Sequence, residues 1–157
     1  MPRVSRRRRL DAPPGDIWRV VSDPYHLPRW WPRTQRVENV TAGATKGRKW
    51  TQVLETRDRR GVRADYRCVS AAENDRYVFE QLLAGTPFDR ILSRARTEIR
   101  MQPEGDGTRV TLTTEQRLRG LSRLGGFMMR RAMGRTLNEA LSGLEHATGG
   151  GPAEAPS

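Results

Sequence analysis

The sequence predicts an α+β fold: an antiparallel sheet of about seven strands packed on a long C-terminal helix, with two short helices after the first strand. Three observations predict it. Apolar residues recur with period two from Arg36 to Leu118, between turn-forming Gly, Asn and Asp. They recur at helical spacing from Leu121 to Ala147. Between Leu10 and Pro32, prolines and aspartates stand where short helices start and stop.

Taken in order, Arg3 to Leu10 reads as a strand, ended by Asp11 and the Pro13-Pro14 pair. Pro14 suits the first turn of a helix, where a missing N–H costs nothing, and Asp16 favours the positive helix N-terminus. This helix runs to Val21, with Ile17, Trp18 and Val21 on its buried face. Asp23 then caps a second helical turn, Pro24 to Pro28, ahead of Trp30 and Trp31. The pair is too short and too punctuated by proline to read DNA. Candidate strands follow at Val37 to Thr41, Lys49 to Arg57, Val62 to Ala71, Tyr77 to Ala84, Asp89 to Gln102 and Thr108 to Leu118. Short turns join them, which makes an antiparallel meander.

Alternation assigns faces in three strands. Val62, Ala64, Tyr66 and Cys68 share one face, as do Ile91, Ser93, Ala95, Thr97, Ile99 and Met101, and Val110, Leu112, Thr114, Gln116 and Leu118. The opposite face carries Arg, Asp and Glu that can pair across strands in water. In Lys49 to Arg57 and Tyr77 to Ala84 the parity is ambiguous. The apolar face needs a partner, and only Leu121 to Ala147 is long enough; at about 1.5 Å per residue it reaches roughly 40 Å.

Composition narrows the function. The chain has 157 residues, of which 35% are hydrophobic, and no run of even ten apolar residues that would suit a membrane span or a secretory segment. A cytoplasmic location is the expectation. Cys68 is the single cysteine, so no disulfide forms within the chain. The net charge of +11 invites a polyanion, yet only Lys46 and Lys49 among 29 basic residues are lysine, and the arginines are interleaved with acids. Arg6, Arg7, Arg8 and Arg9 form the one true run. It reads as a charged edge strand that discourages sheet-to-sheet association, or as a contact for an acidic membrane surface, an RNA or an acidic protein.

Leu10, Ala12-Pro13, Ile17-Trp18, Asp23-Pro24 and Trp30-x-Pro32 together resemble the opening of the SRPBCC superfamily, the START-like helix-grip proteins, which include polyketide cyclases/dehydrases and lipid-transport-like members. The resemblance covers residues 3–147. It implies one helix-grip domain over residues 1–148, with the curved sheet wrapped around the long helix; residues 149–157, with no apolar residue larger than Ala, read from composition as a disordered tail. It also implies that function resides in the space between sheet and helix.

Small inward residues, Ala64, Ser93, Ala95 and Thr97, together with Gly125, Gly126 and Gly134 on the helix, leave volume for a cavity. The expected ligand-binding residues are Tyr66, Phe79, Ala95, Thr97, Ile99, Leu112, Thr114, Gln116, Met128, Met129 and Met133. The same aromatic and Met side chains could instead fill the space. Inward polar groups are Tyr66, Ser93, Thr97, Thr114 and Gln116, with Gln81 as a further candidate, and none is a base poised near neutrality. His26, near Trp30, and Tyr66 are the only catalytic candidates. No metal spacing and no phosphate loop is present, and no cofactor is expected. Three readings follow: a non-catalytic binder or carrier of a lipid, isoprenoid or polyketide; a cyclase or dehydrase with Tyr66 as acid and His26 as proton carrier; and a protein- or RNA-binding module using Arg6 to Arg9.

Overall fold

The computed structural model describes residues 3–55, 61–90, 92–118 and 123–149. Seven strands, β1 (Arg3–Leu10), β2 (Thr34–Glu38), β3 (Lys49–Leu54), β4 (Val62–Ala72), β5 (Arg76–Gln81), β6 (Leu92–Glu104) and β7 (Gly107–Leu118), form one antiparallel sheet in the order β1-β7-β6-β5-β4-β3-β2. Strands β2 to β7 are neighbours in chain order, as their short connections dictate. β1 closes the other edge by pairing along its whole length with β7, from Arg3 opposite Glu115 to Leu10 opposite Thr108.

The segment after β1 folds as its punctuation predicts. Helix α1 (Pro14–Val21) has proline in its first turn and Asp16 beside its N-terminus, and it buries Ile17, Val20 and Val21. The Asp23 carboxylate accepts the Tyr25 N–H at 3.0 Å, capping a 3₁₀ turn, Pro24–His26, that runs on into α2 (Leu27–Trp30). The long helix α3 (Arg123–Ala147) crosses the inner face of the sheet. It buries Met133, Leu137, Ala140, Leu141 and Leu144 against Ile99, Met101, Val110 and Leu112 in one core.

Strand boundaries shift where local geometry overrides alternation. β2 begins three residues before the expected Val37, because Arg33 turns the chain at φ 62 and accepts the Glu55 N–H through its carbonyl. It stops at Glu38 because Asn39 adopts φ 56. β5 ends at Gln81, not at Ala84, and β6 starts at Leu92 after a 3₁₀ turn, Pro87–Arg90, that occupies the expected first strand residues. The expected ends of the third strand, at Arg57, and of the long helix, at Leu121, lie outside the described residues, as does Ile91.

The ambiguous parities resolve with Trp50, Gln52, Tyr77, Phe79 and Gln81 on the inner side. A register shift between Leu92 and Arg94 puts Ser93 in a bulge, so Ser93 is exposed and Leu92 is buried. The inward placement expected for Ser93 is thereby corrected: one extra residue reverses the alternation on its N-terminal side.

The charged faces behave as expected. Outside the sheet, Arg67 meets Glu80 at 3.2 Å, Arg109 meets Glu104 at 2.8 Å, and Arg36 and Arg63 bracket Glu38 at 2.9 and 3.1 Å. The arginine run of β1 is divided by the same alternation. Arg6 and Arg8 lie toward α3, where Arg8 donates to Ser142 Oγ at 2.9 Å and stands 3.6 Å from Glu145; Arg7 and Arg9 lie on the other side, Arg9 paired with Asp11.

Gly143 sets the distance between α2 and α3, since a Cβ there would collide with the Trp30 backbone. Gly126, in contrast, has nothing within 4 Å of a Cβ. Gly143→Ala should lower stability by about 1–2 kcal/mol, overpacking outweighing the helix-propensity gain. Gly126→Ala should raise it by up to about 1 kcal/mol. Urea unfolding midpoints of the two variants check both signs.

Candidate functional site

The inner face of the sheet divides into a packed part and an open part. Its packed part is an aromatic cluster centred on Phe79, whose ring lies 5.8 Å from Trp31, 5.8 Å from Trp50, 5.8 Å from Tyr66 and 6.2 Å from Tyr77. Trp50 and Tyr66 stack at 6.0 Å with an interplanar angle of 11°. Trp31 reaches the cluster because α2 ends at Trp30, which releases the next residue into extended backbone. The Trp50 indole N–H donates to Gln52 Oε1 at 3.0 Å, and Gln52 Nε2 donates to Thr34 Oγ1 at 3.3 Å, so these buried polar groups hold one another and the edge strand β2.

Beside the cluster, between sheet and α3, lies a cavity of about 260 Å³. Phe79, Tyr66 and Trp31 form its aromatic side, and Met129, Met133 and Leu137 its aliphatic side. Ala95, Thr97 and Thr114 line it from β6 and β7, Gln81 and Gln116 from strand ends, and Ala132 and Thr136 from the helix. A second hollow of about 330 Å³ shares Trp31, Tyr66 and Thr136 with it and continues past Leu54, Val62 and Phe88. The Tyr66 ring borders both spaces.

Eight of the residues singled out from sequence are thus brought together around the cavity: Tyr66, Phe79, Ala95, Thr97, Thr114, Gln116, Met129 and Met133. The other three are placed elsewhere. Ile99 and Leu112 are fully buried core, sealed under the far half of α3. Met128 is 62% exposed, because the helix turns it about 100° away from Met129 and off the sheet. His26 does not join Tyr66 at the cavity. It sits in the capping turn, with Nδ1 3.2 Å from the Arg29 guanidinium and Nε2 3.7 Å from Asp23.

The wall residues missed by the sequence reading are Trp31, Arg96, Ala132, Thr136 and Leu137. The signal for the three on α3 was the spacing 129, 132, 133, 136, 137 on one helical face. The helical glycines do not open the cavity. Gly134 lies instead under the Arg6 guanidinium, on the β1 side of the helix.

Apart from Arg96, the polar residues lining the site fall into two kinds. The Thr97 and Thr114 hydroxyls bond each other at 2.8 Å and are closed off. The Tyr66 hydroxyl, the Gln81 and Gln116 amides and the Thr136 hydroxyl have no hydrogen-bond partner among the described residues, and they line the cavity. Burial pushes the Tyr66 phenol well above its ordinary value, so it stays protonated and able to donate. The side chains lining the cavity include no carboxylate, imidazole or thiol among the described residues. Cys68 is buried in the core; its thiol donates to the Ser70 carbonyl at 3.5 Å, and burial raises its pKa. Among the described residues no cluster of three or more His, Cys, Asp or Glu could hold a metal ion, and no helix is long and apolar enough to cross a membrane.

This architecture can be matched to known proteins. A family model described as polyketide cyclase / dehydrase and lipid transport matches residues 1–148. The chain belongs to that family. Solved structures agree with the family's helix-grip architecture, the START-like curved sheet with its C-terminal helix. Protein TTHA0849 of Thermus thermophilus is 25% identical, with 94% of this chain and 97% of that one covered and a TM-score of 0.73. A START superfamily protein from Mycobacterium smegmatis is 17% identical, with 93% and 96% covered and a TM-score of 0.75. The Zhui aromatase/cyclase from Streptomyces sp. R1128 is 14% identical, with 93% and 92% covered and a TM-score of 0.74. No curated protein matches the chain.

The closed threonine pair gives a sharp test of the cavity floor. Thr97→Val or Thr114→Val alone leaves one buried hydroxyl unpaired and should cost about 1–3 kcal/mol, whereas the double variant should fall well short of the sum. Thermal or urea unfolding of the three variants measures the coupling. Tyr66 and Tyr77 both have phenols raised by burial, so the folded state resists an ionisation that the unfolded chain undergoes near pH 10. Stability should therefore fall as pH rises above about 10, with tyrosinate absorbance from these two rings appearing together with unfolding.

Proposed function

We propose that this chain binds a compact, largely apolar small molecule bearing hydroxyl or carbonyl oxygens, between the sheet and α3, and does no chemistry on it. The observation that carries the reading is the combination of apolar walls with unpartnered polar groups at Tyr66, Gln81, Gln116 and Thr136. Apolar walls favour burial of a ring or hydrocarbon, and each unsatisfied donor or acceptor gains by meeting a ligand oxygen. A cavity of about 260 Å³ is at the small end of ligand pockets, which suits one or two rings; the adjoining hollow past Tyr66 offers room for a longer substituent. Membership in a family described by polyketide cyclisation and lipid transport supports a ligand of this class.

A cyclase or dehydrase reading has one observation in its favour, the protonated Tyr66 hydroxyl on a ring that borders both spaces, in a fold shared with an aromatase/cyclase. A neutral phenol can donate a hydrogen bond to a ketone oxygen. Turnover also needs a group to take a proton, and the lining side chains supply none with a suitable resting pKa. His26, at the capping turn, is not placed for it.

Native mass spectrometry of the purified protein, followed by organic extraction, should reveal an apolar adduct and its chemical class. Ala132→Phe, at the exposed rim of the cavity, should then weaken binding of that adduct, or of an apolar fluorescent probe, at least about tenfold without altering the circular dichroism spectrum. An undiminished affinity in the folded variant would remove the cavity from the binding site. Incubation with a poly-ketone separates the second reading: acceleration of ring closure that Tyr66→Phe abolishes would establish catalysis.

A further inference from the structure

Nine arginines have an acidic neighbour among the described residues: Arg8, Arg9, Arg19, Arg33, Arg36, Arg63, Arg67, Arg94 and Arg109. The first half of α3 concentrates cations without acids. Residues 123–138 contain four arginines and no Asp or Glu. Arg130, Arg131 and Arg135 are exposed there with no ion-pair partner among the described residues, and Arg6 extends from β1 across Gly134 to join them. Phe127 and Met128 are each 62% exposed on the same stretch, and they are two of only three large exposed apolar side chains among the described residues. Met128, Arg131 and Arg135 follow the i, i+3, i+7 spacing of one helical stripe, with Phe127 and Arg130 beside it.

We propose that this ridge docks the protein on an anionic lipid surface. Phe127 and Met128 gain by leaving water only if they enter an apolar medium, and the cations around them match the negative potential of a lipid headgroup layer. Phe127 and Met128 are exposed next to the cations, a combination that suits a bilayer interface. A nucleic acid would be met by the cations alone and would leave the two apolar side chains in water. The same helical turns carry Met129 and Ala132 on the cavity wall, so docking brings the opening of the cavity to the lipid. The surface argument does not depend on the identity of any ligand.

The test is sedimentation of the full chain with vesicles of phosphatidylcholine alone or mixed with about one-third phosphatidylglycerol. Binding is expected to the mixed vesicles, at least about tenfold weaker to phosphatidylcholine alone, and to decline as salt is raised. Phe127→Ser with Met128→Ser should weaken it about tenfold or more. Arg130→Ala with Arg131→Ala should weaken it by about fivefold per cation. Circular dichroism confirms that each variant is folded. Absence of binding to the mixed vesicles, or binding that both folded variants leave unchanged, overturns the proposal. So does salt-sensitive binding to RNA or to an acidic polypeptide, without vesicle binding and indifferent to the Phe127 and Met128 changes. Because no cavity ligand enters the assay, loss of vesicle binding and loss of ligand binding are read separately.

Discussion

The aromatic cluster around Phe79 is the constraint on which the rest of the inner face depends. Its rings come from α2 through Trp31, from β3 through Trp50, from β4 through Tyr66 and from β5 through Tyr77 and Phe79 itself. Aromatic pairs at these separations favour edge-to-face or offset-stacked geometry, so each ring restricts the placement of the next. The five wide side chains run directly into the aliphatic core, with Tyr77 opposite Ile99 on the neighbouring strand. The next inward pair along the same strands sets Phe79 opposite Thr97, and the short side chains at Ala95, Thr97 and Thr114 leave unfilled space beside the rings.

Several buried polar groups away from the open space, or closed off beside it, have a partner: Thr97 with Thr114, Gln52 between Trp50 and Thr34, and the Thr108 hydroxyl donating to the Ala12 carbonyl at 2.7 Å; the Trp30 indole N–H and the Nε atoms of Arg48 and Arg76 have none among the described residues. Each such pair offsets a desolvation cost that neither member could bear alone. At the cavity Tyr66, Gln81, Gln116 and Thr136 are left with bonding capacity unused among the described residues, four such groups around one space.

Most of the fold was legible because it is written in periodicity and punctuation. β1 and α1 start and end where proline, aspartate and alternation place them, and the helical spacing of Met133, Leu137, Ala140, Leu141 and Leu144 identifies the buried side of α3. The errors have separate physical origins, the first of which is that alternation carries parity only as far as the next bulge. The extra residue at Ser93 turned an inward position outward. A stripe of methionines at 128, 129 and 133 names a helix side only coarsely, since adjacent residues differ by about 100° and one of the three had to face solvent. The role of Trp31 was hidden because it follows from the end of α2 and not from any strand or helix pattern.

Burial along α3 is uneven. From Met133 onward the helix is anchored by residues that are almost wholly enclosed, by the close backbone approach at Gly143 and by Arg8 from β1; no residue from 125 to 132 is fully enclosed. Local opening is cheapest where enclosed apolar area is least. The cavity wall contributed by Met129 and Ala132 belongs to that weaker end, so the helix behaves as a beam clamped at its C-terminal half, and widening the cavity costs least at the other.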